Sequence, residues 1–299
     1  MEQSYGSLQD TVVLNNGVHM PRFGFGTVFI EEPLITWALQ QGFRNIDTAT
    51  DYANEGEIGK AVRNCGLKRS EVFVTTKVWN SSQGYEKTLQ AFELSRKTMD
   101  LEYIDLYLIH WPCPDYDLYI DTWKAMEKLY KDGYIRAIGV SNFFPEWIER
   151  IRQECEILPM VNQVEYNPFY QQTEIRDYCR ANGIQMEAYS PMAHGRVGDS
   201  FVIQQIAQKY GKNGNQIAAR FLYQENICLI PRSTKKERIL SNADIFDFCL
   251  TPEEMGMIYG LSTPFGRKGM DPYTFHELKN LKEQIAEREA REKAQKEHK

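Results

Sequence analysis

The stretch Ile104–Ser141, IDLYLIHWPCPDYDLYIDTWKAMEKLYKDGYIRAIGVS, holds one complete structural unit. It opens on a short apolar run, Ile104–His110, of strand length. Beyond Asp117 the period changes, and Trp123, Met126, Leu129 and Tyr130 fall on one helical face. Asp132-Gly133 ends that helix as a turn signal. A second apolar run, Ile135–Ser141, follows. Strand, amphipathic helix and strand in that order imply two parallel strands joined by a helical crossover.

The same rhythm extends in both directions. Further runs of strand length are Arg22–Phe25, Asn45–Asp47, Val72–Lys77, Val161–Glu165, Ile184–Ser190 and Cys228–Pro231, giving eight in all. Amphipathic segments lie between them; in Asn54–Asn64, for example, Ile58, Ala61 and Val62 share a face. Gly42, Gly66 and Asn182-Gly183 punctuate the changes. Eight strand–helix units close naturally into a (β/α)8 TIM barrel, with a doubly wound open sheet as the alternative. Ahead of the first unit, Val12–Leu14 and Val18–Met20 flank Asn15-Asn16-Gly17 and read as an N-terminal β-hairpin, with Asn-Gly supplying the positive φ angles of a tight turn. No Gly-rich linker or composition break interrupts the chain, so residues 1–299 read as a single barrel domain with a C-terminal extension. Within that extension, residues 281–299 are mostly Glu, Lys, Arg and Gln. They read as a charged, solvated helical tail, the alternative being a partner-binding one.

Composition narrows the function. Among 299 residues, 42% hydrophobic and 25% charged is an ordinary globular balance. A net charge of −6 argues against nucleic acid or an anionic membrane as the main partner. No run is long enough to span a bilayer, and MEQSYGSLQD lacks the basic-then-apolar order of a secretory signal. Six cysteines are scattered without a CxxC pair or a Cys/His cluster, so reduced thiols and no metal site are expected. The expectation is a cytoplasmic protein, a monomer, acting on a small molecule.

In a barrel of this kind, chemistry sits at the C-terminal ends of the strands. Polar groups close the apolar runs there: Asp47 with Tyr52 just beyond, Thr75-Thr76-Lys77, His110-Trp111-Pro112, Ser141-Asn142, Asn162-Gln163, Tyr189-Ser190 and Arg232-Ser233. A lysine ending an apolar run needs partners for its ammonium, and Asp47 is the obvious carboxylate. An ammonium beside Tyr52 favours phenolate and is expected to bring the phenol toward working pH. Tyr52 then becomes a proton donor to a carbonyl oxygen that receives hydride, with His110 orienting that oxygen. Singly, each has an ordinary explanation as a turn residue, a packed ring or a satisfied histidine. The four together, at successive strand ends, favour acid–base chemistry.

Several longer motifs resemble the aldo-keto reductases. GFRNIDTATDYANEGEIG (Gly42–Gly59), LIHWP (Leu108–Pro112), IGVSNF (Ile138–Phe143), NQVEYNP (Asn162–Pro168), AYSP (Ala188–Pro191) and IPRSTKKERILSN (Ile230–Asn242) occur in that family's order. The resemblance implies an NADPH-dependent carbonyl reductase in which Tyr52 is the general acid, Lys77 lowers its pKa, Asp47 holds the lysine and His110 orients the substrate. It implies that Ser141, Asn142 and Gln163 bind the nicotinamide carboxamide and that Tyr189 stacks on the ring. The other implied cofactor contacts are Gly26, Thr27, Asp47, Ser190, Arg232, Ser233, Thr234, Arg238 and Asn242. The two guanidiniums and two hydroxyls suit a 2′-phosphate, so NADP(H) is expected over NAD(H). The substrate pocket would be lined by Val28, Tyr52, Trp79, His110 and Trp111.

Three departures matter. Arg232 stands where the family usually has Lys, Ser241 where Glu or Gln is common, and Val28 where many members carry Trp. The short segment Ser190–Ser200 resembles the microbial branch that includes 2,5-diketogluconate reductases. Two alternatives remain: a nucleotide-binding regulatory or structural member of the same fold, and an unrelated barrel enzyme such as an isomerase.

Overall fold

The chain enters through the hairpin of β1 (Thr11–Val13) and β2 (His19–Pro21), paired antiparallel with Val12 opposite Met20. Its turn differs from the expected one. Of Asn15-Asn16-Gly17 only Gly17 has positive φ, +85°. Gly17 N donates to the Leu14 carbonyl at 2.8 Å and Leu14 N to that of Val18 at 2.9 Å. This is a three-residue loop with a single left-handed glycine, so one glycine suffices where a two-residue turn would have needed both central residues.

The computed structural model describes residues 5–279, 283–284 and 286–287. Eight strands follow the hairpin: β3 (Gly24–Gly26), β4 (Asn45–Asp47), β5 (Phe73–Val78), β6 (Ile104–Ile109), β7 (Ile135–Ser141), β8 (Val161–Glu165), β9 (Gln185–Tyr189) and β10 (Cys228–Leu229). They form one parallel sheet in sequence order. The edges meet: Phe23 bridges Leu229, Leu229 N donates to Arg22 O at 2.9 Å, and Gly26 N to Pro231 O at 3.1 Å. The sheet is therefore a closed (β/α)8 barrel, as the eightfold rhythm predicts.

The helices are α1 (Glu32–Gln40), α2 (Glu55–Asn64), α3 (Tyr85–Met99), α4 (Tyr119–Lys131), α5 (Pro145–Glu154), α6 (Thr173–Ala181), α7 (Phe201–Tyr210), α8 (Gly214–Gln224), α9 (Lys236–Ala243) and α10 (Pro252–Tyr259). In α4 the anticipated stripe is the buried one, with Trp123, Met126 and Leu129 inward. Most of the core lies between this ring of helices and the outer face of the barrel. Burying such a side chain contributes about 1.5–3 kcal/mol. Asn54 precedes α2 but does not cap it. Its amide instead ties the loop after β4 to the loop after β3, donating to the carbonyls of Thr27 (2.7 Å) and Ile30 (3.2 Å) while accepting from the Thr48 hydroxyl at 2.6 Å.

Past α10 the chain crosses the barrel mouth. Thr263 N donates to Phe169 O at 2.9 Å, and the Lys268 and Gly269 amides converge on the buried Glu165 carboxylate at 2.6–3.1 Å. On the far side Trp79 Nε1 donates to Leu278 O at 3.0 Å and Asn80 Nδ2 to Glu277 O at 2.8 Å. This strap roofs the ends of β5, β6 and β8. Of the predicted tail, residues 283–284 and 286–287 are helical, and the rest of 281–299 lies outside the described residues.

Candidate active site

Beneath the strap, the polar strand ends converge. Lys77, at 0% exposure, directs its ammonium to Asp47 Oδ1 (2.7 Å), Asp47 Oδ2 (2.9 Å) and the Thr48 carbonyl (2.8 Å). A buried lysine is tolerated when its donors are met in this way. Tyr52 ends a single helical turn, Thr50–Tyr52, just after β4, and Lys77 Nζ lies 5.1 Å from its ring centroid. Its ring meets His110 edge-on at 5.8 Å, and Trp79 also meets His110 edge-on, at 5.2 Å. Four residues from three successive strands thus surround one point.

The electrostatics differ from expectation in one respect. Burial first, then the charges of Asp47 and Asp51, hold the Tyr52 phenol well above its ordinary range. The anticipated lowering by Lys77 is not seen, because the three protons of that ammonium are directed at Asp47 and Thr48, and Asp47 opposes phenolate. Tyr52 is a protonated phenol throughout the neutral range. Its hydroxyl has no protein partner among the described residues, nor is it one of the buried atoms lacking a partner, so solvent reaches it. His110 is pushed the other way: burial, then the nearby Lys77 charge, hold the imidazole well below its ordinary value. It is therefore neutral near pH 7. Its Nδ1 is buried without a partner, whereas Nε2 is neither buried nor bonded among the described residues. The tautomer protonated at Nε2 leaves that N–H as an available donor.

Around this point the polar residues form a continuous network. Gln163 Nε2 donates to Asp47 Oδ2 and to Glu187 Oε2, both at 2.7 Å, and Asn45 Nδ2 donates to Glu187 Oε1 at 3.0 Å. Ser141 Oγ donates to Gln163 O (2.9 Å), and Asn142 Nδ2 to His110 O (3.0 Å). Tyr189 OH donates to Asn142 Oδ1 at 2.8 Å. Asn142 has φ +65°, a left-handed conformation that asparagine tolerates better than most residues. Trp79, Trp111 and Cys113 form a separate buried cluster with Phe275 of the strap, whose ring lies 4.4 Å from that of Trp111.

The remaining predicted contacts lie along the rim after β3, β9 and β10. The Thr27 hydroxyl is buried and donates to Asp47 O at 2.7 Å, which leaves no exposed group there. Ser190 has φ +50°, and its hydroxyl lies 3.5 Å from His194 Nε2. Arg232 Nε donates to Val28 O at 2.6 Å, joining the loops after β3 and β10. Arg232, Thr234, Lys235, Lys236 and Arg238 are exposed around the start of α9. The α9 cap position is Lys235 without a side-chain bond, while Ser233 Oγ accepts from Lys235 N at 3.1 Å. Asn242 is buried on α9, and Ser241 accepts from Asn213 at 3.0 Å. Sequence reasoning did not single out Glu187, Asn45 or Glu165, and it named Phe275 only as the end of the segment Thr263–Phe275 expected to shape substrate choice. A charge within an apolar run was the available signal for the two glutamates. Among the described residues no three His, Cys, Asp or Glu side chains group as metal ligands would.

Comparison with known proteins places this geometry. Residues 32–201 match the Aldo/keto reductase family model. The chain is 50% identical over 261 residues to a glyoxal reductase of Bacillus subtilis, covering 86% of this chain and 94% of that one. It is 40% identical over 270 residues to a methylglyoxal reductase of Escherichia coli, covering 88% and 97%. A solved structure of a Gox0644 mutant in complex with NADPH superposes with a TM-score of 0.86 at 36% identity, over 89% of this chain and 98% of that one.

Proposed function

The chain belongs to the aldo/keto reductase family, and from that premise we propose that it reduces small aldehydes and ketones with NADPH, Tyr52 acting as general acid. The observation that carries this reading is the buried Lys77–Asp47 pair set beside a protonated, solvent-reachable phenol and a neutral imidazole.

The residues present fit the dinucleotide. Arg232 and Arg238 make no ion pair among the described residues, and Lys235 and Lys236 stand beside them with Glu237 as the one acidic neighbour in that stretch, so net positive charge gathers at the rim. That is the donor set a 2′-phosphate requires. Ser141, Asn142 and Gln163 would hold the carboxamide and Tyr189 the ring face. Bound there, a reduced nicotinamide supplies the hydride. Tyr52 gives its proton to the carbonyl oxygen as negative charge develops on it. His110 donates a hydrogen bond from Nε2 to the same oxygen, and being neutral it does so without surrendering a proton. Lys77, held by Asp47 and the Thr48 carbonyl 5.1 Å from the Tyr52 ring, offsets the Asp47 charge beside the phenolate that Tyr52 becomes. Trp79, Trp111 and Phe275 exclude water from the reacting carbon.

The relatives named for glyoxal and methylglyoxal support small, reactive dicarbonyls as the substrate class. A panel of glyoxal, methylglyoxal, simple aldehydes, ketones and sugar carbonyls, followed by loss of NADPH absorbance, tests this. Fastest turnover is expected for the dicarbonyls. Tight NADPH binding with no turnover across the panel would instead favour a regulatory role for this fold.

A further inference from the structure

Gln163 occupies an unusual place in the network. Its single amide nitrogen is shared by two carboxylates from strands on either side, Asp47 on β4 and Glu187 on β9, each at 2.7 Å. Both N–H protons are thereby committed. Glu187 is wholly buried, and its second oxygen is held by Asn45 at 3.0 Å. With Glu187 ionised, turning the Gln163 amide over would set its carbonyl oxygen between two carboxylate acceptors with no proton between them. A buried polar group left so would cost about 1–3 kcal/mol or more, so one orientation persists. In that orientation Oε1 is the remaining polar atom of the amide. It has no partner among the described residues, yet it is not sealed off as the orphaned oxygens of Asn45 and Asn162 are.

We infer that Glu187 is a positioning residue which, with Asp47, fixes Gln163 so that it offers the nicotinamide carboxamide an acceptor and never a donor. This rests on the reading above that Gln163 meets the carboxamide. Glu187 touches neither substrate nor cofactor; it acts by deciding which end of the Gln163 amide faces outward. The site therefore selects a cofactor head group that carries an N–H at that position. With Gln at position 187 that neighbour becomes both donor and acceptor, and Asp47 alone then opposes the turned orientation of Gln163.

The test uses three ligands in equilibrium titrations of wild type, Glu187→Gln and Gln163→Leu at about pH 9, where Glu187 is a carboxylate. NADP+ carries the carboxamide N–H, 3-acetylpyridine adenine dinucleotide phosphate replaces it with a methyl group, and 2′-phospho-ADP-ribose lacks the nicotinamide. Wild type should prefer NADP+ over the acetylpyridine analogue by about tenfold, the worth of one hydrogen bond. Glu187→Gln should narrow that preference by at least about twofold, because a Gln163 held by Asp47 alone turns more readily and can then donate to the acetyl oxygen, while 2′-phospho-ADP-ribose binds as before. A preference that survives in Glu187→Gln but vanishes in Gln163→Leu overturns the role of Glu187 and leaves the carboxamide reading standing. No preference in wild type, with Gln163→Leu neutral, removes both. Parallel loss of all three ligands in Glu187→Gln means a merely structural residue and overturns the inference.

Discussion

At the scale of single residues, burial favours the neutral forms of neighbouring groups in the candidate site. Burial holds Tyr52 protonated and His110 neutral. Burial and the Asp47 charge also push Glu187 up to about 7, against the restraining effects of Gln163, Lys77 and Asn45. An unfolded glutamate titrates near 4.5. The folded chain therefore holds this proton more tightly, so the stability it contributes is full below that value and is lost as pH rises through 7. Glu187→Gln removes the loss. Between about pH 5 and about pH 8, wild type should lose roughly 1–3 kcal/mol relative to that variant in denaturant titrations; a pH-independent difference would contradict the assignment. At the rim, Arg238 is exposed and makes no ion pair among the described residues. Arg238→Ala should weaken NADPH by roughly tenfold and NADH hardly at all, since the missing contact is to the 2′-phosphate; fluorescence titration of both cofactors decides. The grouping of Asp47, Tyr52, Lys77 and His110 was legible because three of them end apolar runs, where an ionisable group calls for a partner, and Tyr52 lies a few residues beyond the first. Glu187 was not, because it lies inside Ile184–Ser190 and the sequence does not say which face of a barrel strand points inward.

At the scale of elements, helices pack onto the barrel closely enough to fix particular small residues. Gly59 in α2 lies against the end of α3, where an added Cβ would sit 1.8 Å from the Met99 carbonyl oxygen. Alanine at this position gains up to about 1 kcal/mol of helix propensity, but it forces backbone apart and should cost 2–3 kcal/mol or more overall. A clearly lowered melting temperature for Gly59→Ala, against a much smaller drop for Gly66→Asn at an open left-handed turn that asparagine tolerates, is the expected pair of results. Element type and order were legible because period 2 and period 3.6 alternate throughout. Boundaries were less so: β5 runs one residue beyond Lys77, and β10 shrinks to Cys228–Leu229. A barrel strand ends where its neighbours stop offering backbone partners, and that depends on register rather than on local composition. The hairpin loop likewise took three residues because Asn16 stayed out of the left-handed region.

At the scale of the whole molecule, closure of the eight strands brings Asp47, Lys77, His110, Gln163 and Glu187 from five strands around one axis. The repeated rhythm made the barrel legible, whereas the strap over its mouth follows no period. The strap is held by backbone bonds to Glu165 and to the loops after β5 and β8, contacts that only the closed barrel creates. The central claim is that this assembly serves proton donation from Tyr52. Tyr52→Phe deletes one oxygen and keeps the ring that packs against His110. The most direct measurement is single-turnover hydride transfer to glyoxal beside NADPH titration, for wild type and this variant. General acid catalysis supplies about 100–10,000-fold, so hydride transfer should slow by at least 100-fold while NADPH affinity stays within about twofold. A Tyr52→Phe variant that transfers hydride at near wild-type rate would contradict the account.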